Sequence, residues 1–280
     1  MDERYVRHEG LVGAAGQKKL ARCRVGLAGT GGLGCHVAQQ LAYLGVPDQT
    51  LVDEDIVEMR NLNRLVGATP SDIGRLKVDV IGDMIAVILP GADPVKVPHR
   101  LEHPEARAAL ADVDVIFGCL DHDLSRLHLI ELATASAIPF FDLATDVIPE
   151  PGATPSFGGR LIFSGHGERC PYCMGELDQN EIRRATMTPA ELAAEATIYG
   201  VPVSALTANS GPSVVSINGV VASLAVTEFI KFITGLAKPA PSLRYIGNTG
   251  VVRRVADERV IGTCPYCAAW GRDRPGQLSA

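Results

Sequence analysis

An excess of positive charge is missing from this sequence: over 280 residues, 26 Lys and Arg face 32 Asp and Glu, a formal net charge of −6. Phosphate backbones are bound by clustered cations, so nucleic acid is not expected as the main partner, although a local basic pocket for a nucleotide remains compatible with the balance. Residues 1–10 are charged and polar and lack the apolar core of a secretory signal, which leads to the expectation of a cytoplasmic protein. No long apolar run is clean. The most apolar stretch, residues 214–237, is interrupted by Asn218, Glu228 and Lys231 and reads as a buried core helix, so no membrane partner is expected. Internal repeats and low-complexity tracts are absent as well. Seven cysteines without a leader point to metal ligation or free thiols in preference to a disulfide framework.

What is present is a globular balance of 46% hydrophobic and 21% charged residues, enough apolar surface for one large core. Residues 24–28 form a short apolar strand that runs straight into Gly29-Thr30-Gly31-Gly32-Leu33-Gly34, and a helical pattern follows over 37–44. A second strand over 50–53 ends in Asp53, at the separation a nucleotide-binding βαβ unit requires. Further on, the pattern predicts helices over 77–89, 104–111 and 123–136, strands over 93–98, 114–119 and 139–143, and a strand over 160–163 outside the simple alternation. Residues 170–211 carry a helix near 190–196 and otherwise read as loop. A helix over 213–235 and strands near 243–247 and 251–255 close the chain. The fold class is therefore α/β: a Rossmann-like, mainly parallel sheet flanked by helices. One domain spans 1–280, with a nucleotide-binding half at 1–145 and a lobe at 146–280.

The glycine run lets backbone approach a phosphate or ribose without Cβ clashes, while the helix behind it offers free N–H groups at its positive end. Alone it fits NAD, FAD, S-adenosylmethionine or ATP equally, with Asp53 accepting from ribose hydroxyls. Beyond it lie Asp55, Asn61, Asn63, Arg64, Lys77 and Asp121, a mixture of cations and carboxylates with no obvious use in hydride transfer. A triphosphate with Mg²⁺ needs such a set: Arg64 and Lys77 to neutralise phosphates as pyrophosphate leaves, Asp121 to hold the metal.

Taken in order, Gly29 to Gly34, Val52-Asp53-Glu54-Asp55, Asn61-Leu62-Asn63-Arg64, Lys77 and Cys119-Leu120-Asp121 resemble the adenylation domain of the ThiF/MoeB/ubiquitin-activating superfamily. The resemblance covers nearly the whole chain, since Arg4-Tyr5-Val6-Arg7 is similar to the family's N-terminal motif and the cysteine pairs to its zinc site. It implies adenosine contacts at Gly32 and Asp53 and phosphate contacts at Asn61 and Arg64, within a nucleotide-binding set that also takes in Gly29, Gly31, Gly34, Asp55, Asn63 and His122. Lys77 would act on the transferring phosphate, and Asp121 on Mg²⁺. Arg7 resembles the arginine that family dimers lend to the neighbouring subunit's ATP, which implies a homodimer. Two departures fall at Leu65, where the family often has Gln, and at His122, where it often has Asn; both bear on phosphate and adenine contacts.

Cys170-Pro171-Tyr172-Cys173 and Cys264-Pro265-Tyr266-Cys267 are two C-x-x-C knuckles, giving four thiolates able to close a tetrahedral, structural zinc site. Cys23, Cys35 and Cys119 lie in or beside the nucleotide-binding core and read as small packing residues. Some family members pass the carrier to a cysteine placed a fixed distance before the helix with Glu228-Phe229-Ile230-Lys231; Ala208 holds that place here. The implied activity is ATP-dependent adenylation of the C-terminal carboxylate of a small β-grasp, ubiquitin-like or sulfur-carrier protein with a Gly-rich end, without an enzyme-carrier thioester. Two other classes remain: an NAD-dependent oxidoreductase, which leaves Arg64, Lys77, Asp121 and the knuckles unexplained, and a zinc-bearing interaction module with a degenerate nucleotide site.

Overall fold

A computed structural model describes residues 3–165, 169–206, 211–255 and 263–270. After a 3₁₀ turn (Glu3–His8) the chain forms α1 (Glu9–Leu20), β1 (Val25–Ala28), α2 (Gly34–Tyr43), β2 (Gln49–Val52), α3 (Lys77–Ile88), β3 (Val95–Val97), α4 (Pro104–Leu110), β4 (Val115–Gly118) and α5 (Asp123–Ser136). The second half adds β5 (Phe140–Ile148), β6 (Ser156–Ser164), α6 (Gln179–Ala185), α7 (Pro189–Tyr199), α8 (Val203–Leu206), α9 (Val215–Thr234), β7 (Ser242–Ile246) and β8 (Val251–Arg254).

The strands build one sheet in the order β3-β2-β1-β4-β5-β6-β7-β8. From β3 to β5 every pairing is parallel, and from β5 to β8 every pairing is antiparallel. β1, β2 and β4 are buried at every residue. That is why β1 and β4 read as apolar runs, while β2 carries two buried polar residues, Gln49 and Thr50, before Leu51 and Val52: a parallel sheet is covered on both faces by its crossover helices. The chain leaves β1 towards β2 and β3, then returns to place β4 on the other side of β1. The crevice beyond the carboxyl ends of β1 and β4 is thus a topological switch point, where open α/β sheets bind ligands. Ala28 is in register with both Val52 and Gly118, so Gly29, Asp53 and Cys119 leave the sheet side by side.

Each face of the sheet has its own core. On one, Leu27, Leu41, Leu51, Ile81 and Ile85 join a row of aromatic rings. Phe163, Phe141, Phe117 and Phe229 follow one another at centroid spacings of 4.9, 5.2 and 5.6 Å. On the other, Leu110, Ile116, Leu129, Ile130 and Phe140 pack with Trp270 and the four knuckle cysteines. α9 is the one described helix long and apolar enough to cross a membrane. Here its buried side, including Val221, Ala225 and Phe229, belongs to the first core.

Four elements, β5, β6, α1 and α6, illustrate departures from the sequence reading. β5 and β6 run to nine residues each, because pairing with one another carries them past the buried segment into solvent. α1 is broken by Gly13 at φ +64°, and its glycines blur any apolar stripe. α6 (sequence QNEIRRA) has almost no apolar residue and instead starts on the Asp178 side chain, which accepts from the Asn180 N–H.

Phe229 is fully buried at the end of the aromatic row, so Phe229→Ala is expected to lower unfolding free energy by about 3–5 kcal/mol, measured by urea denaturation.

Candidate active site

A cleft of about 1260 Å³ opens at the carboxyl edge of the parallel strands. Its first wall is the glycine turn between β1 and α2. Gly29 adopts φ +91° and its missing Cβ would meet Cys119 O at 2.6 Å, while a Cβ on Gly34 would fall 2.0 Å from Gly29 O. Only glycine closes this turn. Asp53, half-buried at the end of β2, fastens it: Oδ2 accepts from Thr30 N at 2.7 Å and from Thr30 Oγ1 at 3.1 Å, and Oδ1 accepts from Asp55 N at 2.9 Å. Burial pushes the Asp53 carboxyl above its ordinary value, against the pull of Lys77 and the two N–H donors.

The segment between β2 and α3 brings the cations. Lys77, buried at the start of α3, reaches Asp55 with Nζ 2.6 Å from Oδ2, and its own N–H donates to Asp55 O at 2.9 Å. Arg64 donates through Nη1 to Arg60 O at 2.7 Å and to Asn63 Oδ1 at 3.1 Å. Asn61 Oδ1 accepts from Glu58 N at 2.9 Å, which holds the turn before Arg64. On the opposite side, beyond β4, Asp121 is exposed and lies 3.6 Å from His122 Nε2. His122 Nδ1 lies 3.9 Å from Glu181 Oε1, which also accepts from Asp123 N at 2.9 Å, so α6 is tied to the start of α5.

Gly29, Gly31, Gly32, Asp53, Asp55, Asn61, Arg64, Lys77, Asp121 and His122 all line this one cleft. Gly34, Asn63 and Arg7 do not. Gly34 is buried as the first residue of α2, Asn63 is exposed beside Arg64, and Arg7 is exposed in the N-terminal 3₁₀ turn. Ala208 lies outside the described residues.

Sequence reasoning missed a chain of charges at the cleft, buried at Arg126, Asp142 and Arg160 and more exposed at Glu176 and Arg244. Asp142 accepts from Arg126 Nη1 at 2.5 Å and from Arg160 Nη1. Glu176 then meets Arg160 Nε at 3.3 Å and Arg244 Nη2 at 2.6 Å. A charged residue inside an apolar strand, as in Phe140-Phe141-Asp142-Leu143, was the available signal, because a buried charge demands partners. Asn218 in α9 was missed in the same way. It is 1% exposed and lines the cleft.

The four knuckle cysteines are buried together, with Sγ–Sγ distances of 3.9 Å for Cys170–Cys173, 3.6 Å for Cys170–Cys264 and 3.8 Å for Cys173–Cys267. A tetrahedral ion at the usual Zn–S length sets sulfur atoms about 3.8 Å apart, so the set fits zinc and is far too open for disulfides. His99, His103 and Glu105 also cluster, but the two imidazoles stack 3.9 Å apart at 16°. Their lone pairs lie in the ring planes and do not converge on one ion. Burial pushes the Cys35 thiol up to about 11 and raises Cys23 and Cys119 further, so none of the three is a ready thiolate.

Burial alone would raise Asp142, but Arg126 and Arg160 more than offset it and hold the carboxyl below the usual range. Its contribution to stability is therefore complete above the unfolded-state value of about 4 and is lost as pH falls through the lower folded-state value. Asp142→Asn leaves two buried guanidiniums without their counter-charge. A loss of about 3–5 kcal/mol at pH 7 and a flatter acid limb are expected in denaturation followed from pH 7 to pH 3.

A model of the ThiF family matches residues 5–261. The sulfur carrier protein ThiS adenylyltransferase of Escherichia coli strain K12 is 28% identical over 261 residues, covering 92% of this chain and 91% of that protein. Molybdopterin-synthase adenylyltransferase of the same strain is 29% identical over 227 residues, covering 80% and 78%. Among solved structures, E. coli MccB with ATP gives a TM-score of 0.72 at 19% identity, over 95% of this chain and 75% of that one, a likeness of fold. With the model match spanning most of its length, the chain belongs to the ThiF family.

Proposed function

We propose that this protein is an ATP-dependent adenylyltransferase that activates the C-terminal carboxylate of a small ubiquitin-like or sulfur-carrier protein as an acyl-adenylate. The observation that carries this reading is the convergence of the glycine turn, Asp53, Arg64, Lys77 and Asp121 on one cleft at the switch point of the sheet. The two relatives named as adenylyltransferases support it. The chain works as one adenylation domain, with nucleotide contacts from residues 1–145 and carrier and zinc contacts from 146–280.

In this reading the glycine turn presents backbone to the phosphates and adenosine, with Asp53 both bracing the turn and facing the ribose. The carrier carboxylate attacks the α-phosphate, a P–O bond to the carrier forms, and pyrophosphate leaves. Arg64 and Lys77 neutralise charge on the phosphates, Asn61 orients them, and the half-exposed Asp55 keeps Lys77 in place between turnovers. Asp121 is the residue to hold Mg²⁺, which when bound supplies charge neutralisation across the phosphates. Arg7, exposed at the N-terminus, completes the neighbouring subunit's site in a homodimer. The step needs no thiol: Cys23, Cys35 and Cys119 are held protonated, and no enzyme-carrier thioester forms.

Calorimetry separates this reading from a nicotinamide enzyme. Wild type is expected to bind Mg²⁺-ATP and not NAD, and Lys77→Ala or Asp121→Ala to lose roughly 100- to 1000-fold in carrier-dependent pyrophosphate exchange while staying folded. NAD binding, or undiminished exchange in both variants, refutes it.

Zinc at Cys170, Cys173, Cys264 and Cys267 joins the C-terminal knuckle to the core beside Phe140 and Trp270. Metal analysis is expected to find about one zinc per chain in wild type and none in Cys170→Ser, which should also melt at lower temperature; metal-free wild type refutes the assignment.

A further inference from the structure

α9 buries two polar side chains among apolar ones, and only one of them is fully accounted for by the fold. Glu228 meets Lys231 Nζ at 2.6 Å with one oxygen and Ala240 N at 2.8 Å with the other. Asn218, one turn into the helix, accepts from Thr145 Oγ1 at 2.8 Å through Oδ1 and donates from Nδ2 to Ser213 Oγ at 3.1 Å. A carboxamide nitrogen carries two N–H donors, and these contacts employ one.

The second donor sits in a telling place. A Cβ on Gly32 would come 2.5 Å from Asn218 Nδ2 and 3.3 Å from Arg64 Cδ, so the glycine turn, the arginine segment and the start of α9 meet at a single point. Gly32, Arg64, Asn218, Thr145 and Ser213 all line the cleft. That point is also the join between two halves of the cleft. Towards β1 and β2 lie the glycine turn, Asp53 and Lys77; towards β5, β6 and β7 lie Thr145, Gly159 and Tyr245. Thr145 belongs to β5 and anchors the Asn218 carbonyl, which turns the amide nitrogen towards Gly32.

Resting on the adenylation reading, we propose that Asn218 contacts substrate, donating its second N–H to the acyl oxygen of the carrier's terminal residue where that carboxylate meets the α-phosphate. An amide suits the position because Arg64 beside it already supplies positive charge. A second cation would be repelled, and an apolar residue would leave the acyl oxygen without a donor as the mixed carboxylic–phosphoric anhydride forms.

The test compares Mg²⁺-ATP with 5′-O-(N-glycylsulfamoyl)adenosine, a stable mimic of a glycyl adenylate, by calorimetry on the full chain. Asn218→Ala is expected to weaken the mimic roughly 10- to 100-fold while ATP affinity stays within about threefold. Asn218→Asp keeps the shape and the acceptor for Thr145 and places a carboxylate against the mimic's anionic linker, so it should weaken the mimic more than Asn218→Ala does. Parallel weakening of both ligands would assign Asn218 a merely structural role and overturn the inference, as would mimic binding unchanged in both variants. A wild type that binds neither ligand overturns the adenylation reading along with it, whereas wild-type binding with indifferent variants overturns the role of Asn218 alone.

Discussion

Asp53 ends β2 with its carboxylate turned across the edge of the sheet, where one oxygen takes the N–H and hydroxyl of Thr30 and the other takes the N–H of Asp55. Those bonds do three things at once. They hold the glycine turn closed, they stop β2 at the level where β1 and β4 also stop, and they set the direction in which Asp55 leaves towards Lys77. A carboxylate half-removed from water is costly unless donors surround it, and here the donors are the Thr30 hydroxyl and backbone N–H groups of the segments that it positions. Replace that carboxylate with an apolar group and the turn, the Asp55–Lys77 pair and the wall of the cleft lose their common anchor.

Much of this was legible because local rules carry it. The buried strands β1 and β4 read as apolar runs, the glycine turn needs residues without a Cβ, and a C-x-x-C knuckle fixes two sulfurs by its own geometry. The structure accordingly places ten of the residues singled out from sequence along one cleft. The cysteine knuckles are separated by 94 residues, yet each announces itself locally and only their meeting required the fold.

What stayed hidden depends on register across the sheet. Arg160 sits opposite Arg244 on β6 and β7, a like-charge pair that would be unfavourable were Glu176 not inserted between them and Asp142 not behind Arg160. No periodicity in the sequence reveals that arrangement, since each partner lies on a different element. The polar helix α6 escaped for a related reason: it is placed by Glu181 holding Asp123 N and by Asp123 Oδ2 accepting from Asp178 N at 2.6 Å, contacts that leave no apolar stripe to read.

The thiol of Cys35 shows how far the site relies on positioning. The sulfur accepts from Val66 N at 3.2 Å, and its S–H faces Gly32 O at 3.4 Å and Arg64 O at 3.6 Å. Burial keeps it a neutral donor and acceptor, unsuited to nucleophilic attack and well suited to joining the glycine turn to the backbone that bears Arg64. Asp53 binds the glycine turn from the strand side and Cys35 from the helix side, so the turn and the segment that bears Arg64 are tied to one another. In the adenylation proposed above, which alignment and charge neutralisation would drive, tying the turn to the arginine segment lowers the reorganisation required along that wall.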